Sequence, residues 1–273
     1  MIGLLAFFSF ALGACIASFL NVVIWRVPRG ESIVSPPSHC PKCGAPIRWW
    51  QNIPVLSWLA LRGRCAGCRA PISPRYILVE ILGGVLFLAA FLRVFGVAGP
   101  STGAAVVLSV WWIWIALMIV GSFIDFDFKL LPDFVTVGGM ILGLAHGALV
   151  SFAFAWSPRP FLESLAGLSF GFGLLWLIRF VGSKAFKREA MGLGDVFLMG
   201  AVGAVFGPVA ALFTLVVSSI VGSVAGISML ALSRTRFGRF VEIPYGPYIC
   251  LGCIAWMFSG PEIVEWYVRL LSH

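Results

Sequence analysis

Long apolar runs, each sufficient to cross a bilayer as a helix, recur along almost the whole chain. They fall at about 2–25, 77–98, 103–124, 133–155, 161–181, 191–207, 209–232 and 246–260, where roughly 17–25 mostly apolar residues make a span. The pattern predicts an all-α polytopic membrane protein of about eight transmembrane helices, since a helix satisfies its own backbone groups where no water can. Gly200, Gly203, Gly207 and Pro208 interrupt the sixth run and Pro247 opens the eighth, so those two have the softest edges. Only 11% of the residues are charged and the mean hydropathy is +1.01. A water-soluble domain carries about 25% charge, so that class is excluded.

The net charge is +8, which in a soluble chain would suggest nucleic acid. Here the charges report topology instead, and no nucleic-acid partner is expected. All but three of the 19 Lys and Arg residues fall in alternate connections. Those are the long loop at 26–76, then Lys129, the stretch from Arg179 to Arg188, and finally Arg234, Arg236 and Arg239; the opposite connections hold Arg93, Arg159 and Arg269. Basic loops stay on the cytoplasmic side, which places the 26–76 loop in the cytoplasm and both termini outside. The basic residues follow the first apolar run and none precedes it, so it reads as a membrane helix and not as a cleaved signal peptide. No internal repeat stands out. The chain therefore divides into a first helix at 1–25, a cytoplasmic loop domain at 26–76 and a membrane domain at 77–273.

That loop contains Cys40-Pro41-Lys42-Cys43 and Cys65-Ala66-Gly67-Cys68, separated by 21 residues. Two Cys-x-x-Cys pairs at this spacing suit a closed tetrahedral zinc site, structural and not catalytic. A loop of this size has little core of its own, and a metal can supply the missing folding free energy. Two disulfides are the alternative, disfavoured in a reducing cytoplasm. Cys250-Leu251-Gly252-Cys253 has the same spacing but lies in an apolar run and reads as buried thiols, as does Cys15.

Carboxylates at membrane depth are costly and mark function. Asp125 closes the third run and Asp195 opens the sixth, within Met191-Gly192-Leu193-Gly194-Asp195. Both fall at the cytoplasmic ends of their helices, at similar depth, and so can face each other. Two adjacent carboxyl groups do not both ionise: one keeps a proton while the other takes one from water. That is the working arrangement of an aspartic protease. Gly192 and Gly194 would let a backbone or an extended peptide approach. Asp127 and Asp133 read as solvated or capping residues, Asp133 as the N-cap of the following span. Glu80 is either a partner for a basic side chain or part of a methyl-transfer site.

Six ordered blocks resemble the bacterial type IV prepilin leader peptidases, membrane aspartic proteases with a Gly-x-Gly-Asp motif. They are Gly13 to Pro28, with Ala17-Ser18-Phe19-Leu20-Asn21 and Arg26; the two cysteine pairs with Asn52-Ile53-Pro54 between them; Tyr76 to Glu80; Ile124-Asp125-Phe126-Asp127 to Asp133; Met191 to Asp195; and Ile243-Pro244-Tyr245-Gly246-Pro247-Tyr248. The resemblance implies that Asp125 and Asp195 are catalytic. It implies hydrolysis of prepilin and pseudopilin leaders after a Gly, at the cytoplasmic face of the inner membrane. It also implies N-methylation of the new terminus from S-adenosylmethionine, an activity associated with the cysteine-bearing loop, here complete and including Gly63; no methyl-donor-binding residues are legible. Gln51 stands where the family commonly has Glu, and Val196-Phe197 where it has Phe-Lys. The competing expectations are a peptidase without methylation, a proton- or metal-coupled transporter, and an inactive assembly scaffold.

Overall fold

The computed structural model describes residues 2–189, 191–232 and 244–272. Arg234, Arg236, Arg239 and Ile243, used above for topology and motif, lie outside the described residues. The described chain is helical: α1 Ile2–Arg26, α2 Leu56–Ala60, α3 Pro74–Ala98, α4 Thr102–Phe128, α5 Asp133–Leu149, α6 Arg159–Phe186, α7 Leu193–Phe206, α8 Pro208–Leu232 and α9 Gly246–Leu271. A π-helical stretch, Val150–Ala155, prolongs α5. Among the described residues, seven helical segments are long and apolar enough to cross a membrane.

The expected sixth span is a shorter object. Helix α7 has 14 residues, a rise of about 21 Å, against a hydrocarbon core of about 30 Å. The apolar run continues through 207–209, but Gly207 takes a φ of +88° and its N–H closes on the Gly203 carbonyl, after which Pro208 starts α8. Glycine ends a helix in this way and proline begins one. Val196, Leu198, Met199, Ala201, Val202 and Ala204 are all fully buried. Helix α7 is thus enclosed by protein and need not match the bilayer.

The chain forms two compact units, Met1–Val120 and Gly121–His273. In the first, α1 packs along α3. A Cβ on Gly13 would lie 2.5 Å from the Gly83 carbonyl oxygen, the close approach by which small residues join membrane helices. Asn21 Nδ2 donates to the Tyr76 carbonyl at 3.2 Å, tying the end of α1 to the start of α3. The Arg26 guanidinium, buried at the end of α1, donates to the Ser32 and Pro36 carbonyls at 2.9 and 2.8 Å and anchors the loop that follows.

In the second unit α7 is central, packed by α5 and α6 with α8 and α9 alongside. Gly167 of α6 and Gly203 of α7 meet backbone to backbone: a side chain on either would collide with the other's carbonyl. This contact fixes how far the start of α7, and with it Asp195, stands from α6.

Candidate active site and metal centre

Asp125 occupies the last turn of α4 and Asp195 the first turn of α7. Their relative exposures are 6% and 8%, and the charge of Asp125 acts on Asp195. The second unit therefore brings together the two aspartates that the sequence pairs. Asp125 Oδ2 accepts the backbone N–H of Gly246, the first residue of α9, at 3.0 Å. A Cβ at position 246 would lie 2.7 Å from that oxygen, so only glycine lets the carboxylate sit against the helix start. The Gly192 N–H is turned toward Asp195 in the corresponding way.

The two motif glycines have different roles. A Cβ on Gly194 would meet Leu131 Cβ at 3.0 Å, so the room expected there for a peptide is taken by the chain's own packing. Gly192 is exposed, and a Cβ there would lie 3.4 Å from Asp195 Oδ2 and 4.0 Å from the Gly194 nitrogen. Asp127 is exposed. Asp133 is not the N-cap of α5: that residue is Pro132, and Asp133 lies in the first helical turn, where its charge complements the helix dipole.

Sequence reasoning missed two residues of this site. Gly246 is 121 positions from Asp125, and no local spacing links them. Cys250, read as an inert buried thiol, is buried, but its sulfur is hydrogen-bonded with Ser122 and lies in the field of both aspartates. Its position four residues after Gly246 puts both on one face of α9, a signal the sequence did carry.

In the first unit, Cys40, Cys43, Cys65 and Cys68 converge, with all four sulfurs within 4.8 Å of one another. The Cys40–Cys68 and Cys43–Cys65 sulfurs are 3.8 and 4.0 Å apart. Zinc–thiolate bonds of about 2.3 Å at tetrahedral angles require about 3.8 Å, and a disulfide would require about 2.05 Å. The cluster fits a metal with four thiolate ligands.

The loop builds this site twice. Cys40-x-x-Cys43-x-Ala45-Pro46-Ile47 and Cys65-x-x-Cys68-x-Ala70-Pro71-Ile72 share one pattern, a repeat not recognised from the sequence. In each, the first cysteine N–H donates to the alanine carbonyl, at 2.9 and 2.8 Å, and the turn closes with an isolated β-bridge, His39 to Pro46 and Arg64 to Pro71. The residue after the second cysteine is left-handed in both, Gly44 at φ +69° and Arg69 at φ +61°. The N–H groups of Cys43 and Lys42 pull the Cys40 thiol down to about 6. Cys43 accepts the Ala45 N–H, which favours its thiolate, but the neighbouring Cys68 and Cys40 sulfurs outweigh this and push it up to about 11.

Glu80 is buried and engages backbone. Its carboxylate accepts the Val55 N–H at 2.7 Å. Val55 has a φ of +64°, a costly conformation for a β-branched residue, and this bond holds it there. Gln51 Oε1 accepts the Arg48 N–H at 3.0 Å, capping the turn Trp49–Asn52. A glutamate would accept the same bond, so the departure from the family pattern leaves the local structure intact.

Comparison with known proteins agrees with this architecture. Residues 11–94 match the bacterial peptidase A24 N-terminal domain and residues 112–227 the type IV leader peptidase family. A prepilin leader peptidase/N-methyltransferase of Myxococcus xanthus is 43% identical over 98% of this chain and 76% of its own length. One from Aeromonas hydrophila is 35% identical over 95% of this chain and 92% of its own. A type 4 prepilin-like proteins leader peptide-processing enzyme of Escherichia coli is 36% identical over 90% and 91%. No solved structure matches. With two domains matched in order and relatives aligned nearly end to end, the chain belongs to the type IV leader peptidase family.

Proposed function

We propose that this protein is a membrane-embedded aspartic endopeptidase that removes the leaders of type IV prepilins and type II secretion pseudopilins after a glycine, with Asp125 and Asp195 as its catalytic pair. The observation that carries this reading is two buried carboxyl groups at the ends of different helices, near enough for one to act on the other and each faced by a backbone N–H. One carboxylate takes a proton from water as the oxygen attacks the scissile carbonyl carbon. The other carboxyl, protonated, donates to the carbonyl oxygen. The tetrahedral species then collapses: the C–N bond breaks and the proton taken from water passes to the leaving amine. The distribution of basic residues among the connections favours the cytoplasmic face of the bacterial inner membrane as the side on which this chemistry occurs.

The N-terminal domain match and the intact cysteine loop support a second activity, methylation of the freed N-terminus with S-adenosylmethionine as donor. Zinc is the metal that suits Cys40, Cys43, Cys65 and Cys68. Four protein ligands leave no open position, so it serves folding.

The test is cleavage of a prepilin with a short basic leader, read by mass spectrometry. Wild type should give a shortened product with about 14 Da added at its new N-terminus, one methyl group. Asp125→Asn and Asp195→Asn should each abolish shortening while remaining inserted. Cleavage near wild-type rate by either variant overturns the catalytic assignment, and a shortened product without added mass leaves a peptidase alone.

A further inference from the structure

The N–H that meets Asp125 is itself held in place by side chains. Tyr245, the residue before Gly246, reaches α8: its hydroxyl is 2.7 Å from Ser218 Oγ and 3.3 Å from Ser219 Oγ. Ser218 is fully buried and donates its proton to the Leu215 carbonyl at 3.1 Å. Its oxygen is then left to accept, so Tyr245 donates to Ser218 and Ser219 can donate to Tyr245. The result is a chain of hydrogen bonds from α8 to the first turn of α9. The Tyr245 and Tyr248 rings also close over Gly222 of α8, at 3.7 and 3.4 Å from where its Cβ would be.

Gly246 can rotate or slide unless something fixes its neighbours, and a shift of a few tenths of an ångström would weaken a 3.0 Å bond to Asp125. Proline at 247 presets the backbone of the first helical turn. It does not fix the helix start against α4; Tyr245 links that start to α8 instead.

Resting on the reading of Asp125 and Asp195 as the proteolytic pair, we infer that Tyr245 and Ser218 are positioning residues for cleavage: their hydrogen bond fixes the Gly246 N–H that orients the Asp125 carboxylate. They touch neither substrate nor reacting atoms. Their contribution should appear in turnover and not in substrate binding.

The experiment compares kcat and KM for leader cleavage in purified Tyr245→Phe, Ser218→Ala and the double variant, with Asp125→Asn as reference. Phenylalanine keeps the ring packing and removes only the hydroxyl. Each single variant should lower kcat about tenfold, the effect of one hydrogen bond transmitted to the transition state, with KM within about twofold. The double variant should lose no more than Tyr245→Phe alone, because that change has already removed the Ser218 bond. Wild-type kcat in Tyr245→Phe, a change confined to KM, or losses that multiply in the double variant would each overturn the inference. Asp125→Asn separates this failure from the larger one. If it is inactive while Tyr245→Phe is normal, only the positioning role falls; if it cleaves normally, the proteolytic pair falls first.

Discussion

The four-cysteine cluster and the aspartate pair are assembled in opposite ways. All four cysteines lie between residues 40 and 68, in two copies of one tight turn whose backbone bonds are closed locally. The aspartates come from α4 and α7, and Asp125 meets the start of α9, so their geometry rests on contacts between helices such as Gly167 against Gly203. A local site can be read from spacing and completed by a ligand. A site built from helix ends exists only when the whole second unit is packed. The first should depend on metal and pH, the second on helix packing and on two carboxyl groups.

The sharpest way to separate them is Asp125→Asn. It should lower cleavage by more than about a thousandfold, as loss of a catalytic group does elsewhere, while bound metal, read by elemental analysis, stays at the wild-type level. The reciprocal change, Cys43→Ser, should lower metal content and abolish methylation of a pre-cleaved peptide, yet reduce cleavage by less than about tenfold; an equal loss of both activities would merge the two sites energetically.

Metal affinity followed against pH tests the cysteine cluster alone. Cys40 at about 6 is a thiolate at neutral pH, whereas Cys43 at about 11 gives up its proton when metal binds. Affinity must therefore rise with pH. With at least one proton released per metal, it should be about a hundredfold weaker at pH 6 than at pH 8 in competition with a chelator. The smallest expected effect is at Arg69. Its φ of +61° matches that of Gly44 in the other turn, and the left-handed region costs a non-glycine residue about 1–2 kcal/mol. Arg69→Gly should raise the stability of the metal-loaded protein by about 1 kcal/mol in thermal unfolding.

The same contrast explains what was legible. Asp125 and Asp195 could be paired from sequence because apolar runs give each a depth, and depth is a long-range coordinate that a membrane supplies. Gly246 could not, because its link to Asp125 is lateral, between helices at one depth. The repeated turn was legible in principle, since Ala-Pro-Ile follows each cysteine pair at the same offset, but two cysteine pairs alone suggest a site without revealing that its halves are equivalent. The short α7 was hidden because the apolar run does not stop where the helix does: Gly207 and Pro208 break the backbone while hydropathy continues into α8.

The modest length of α7 has a mechanical consequence. Asp125 is carried by a 27-residue helix long and apolar enough to cross a membrane, with large apolar side chains such as Ile113 and Phe126 exposed. Asp195 is carried by a helix enclosed by protein. A membrane that thickens or thins tilts spanning helices to match, and that adjustment acts on α4 directly and on α7 only through its neighbours. Bilayer thickness would then act on the gap between the carboxyl groups through α4, and reconstitution in bilayers of graded thickness should give the peptidase a rate optimum that detergent micelles, having no fixed thickness, do not impose.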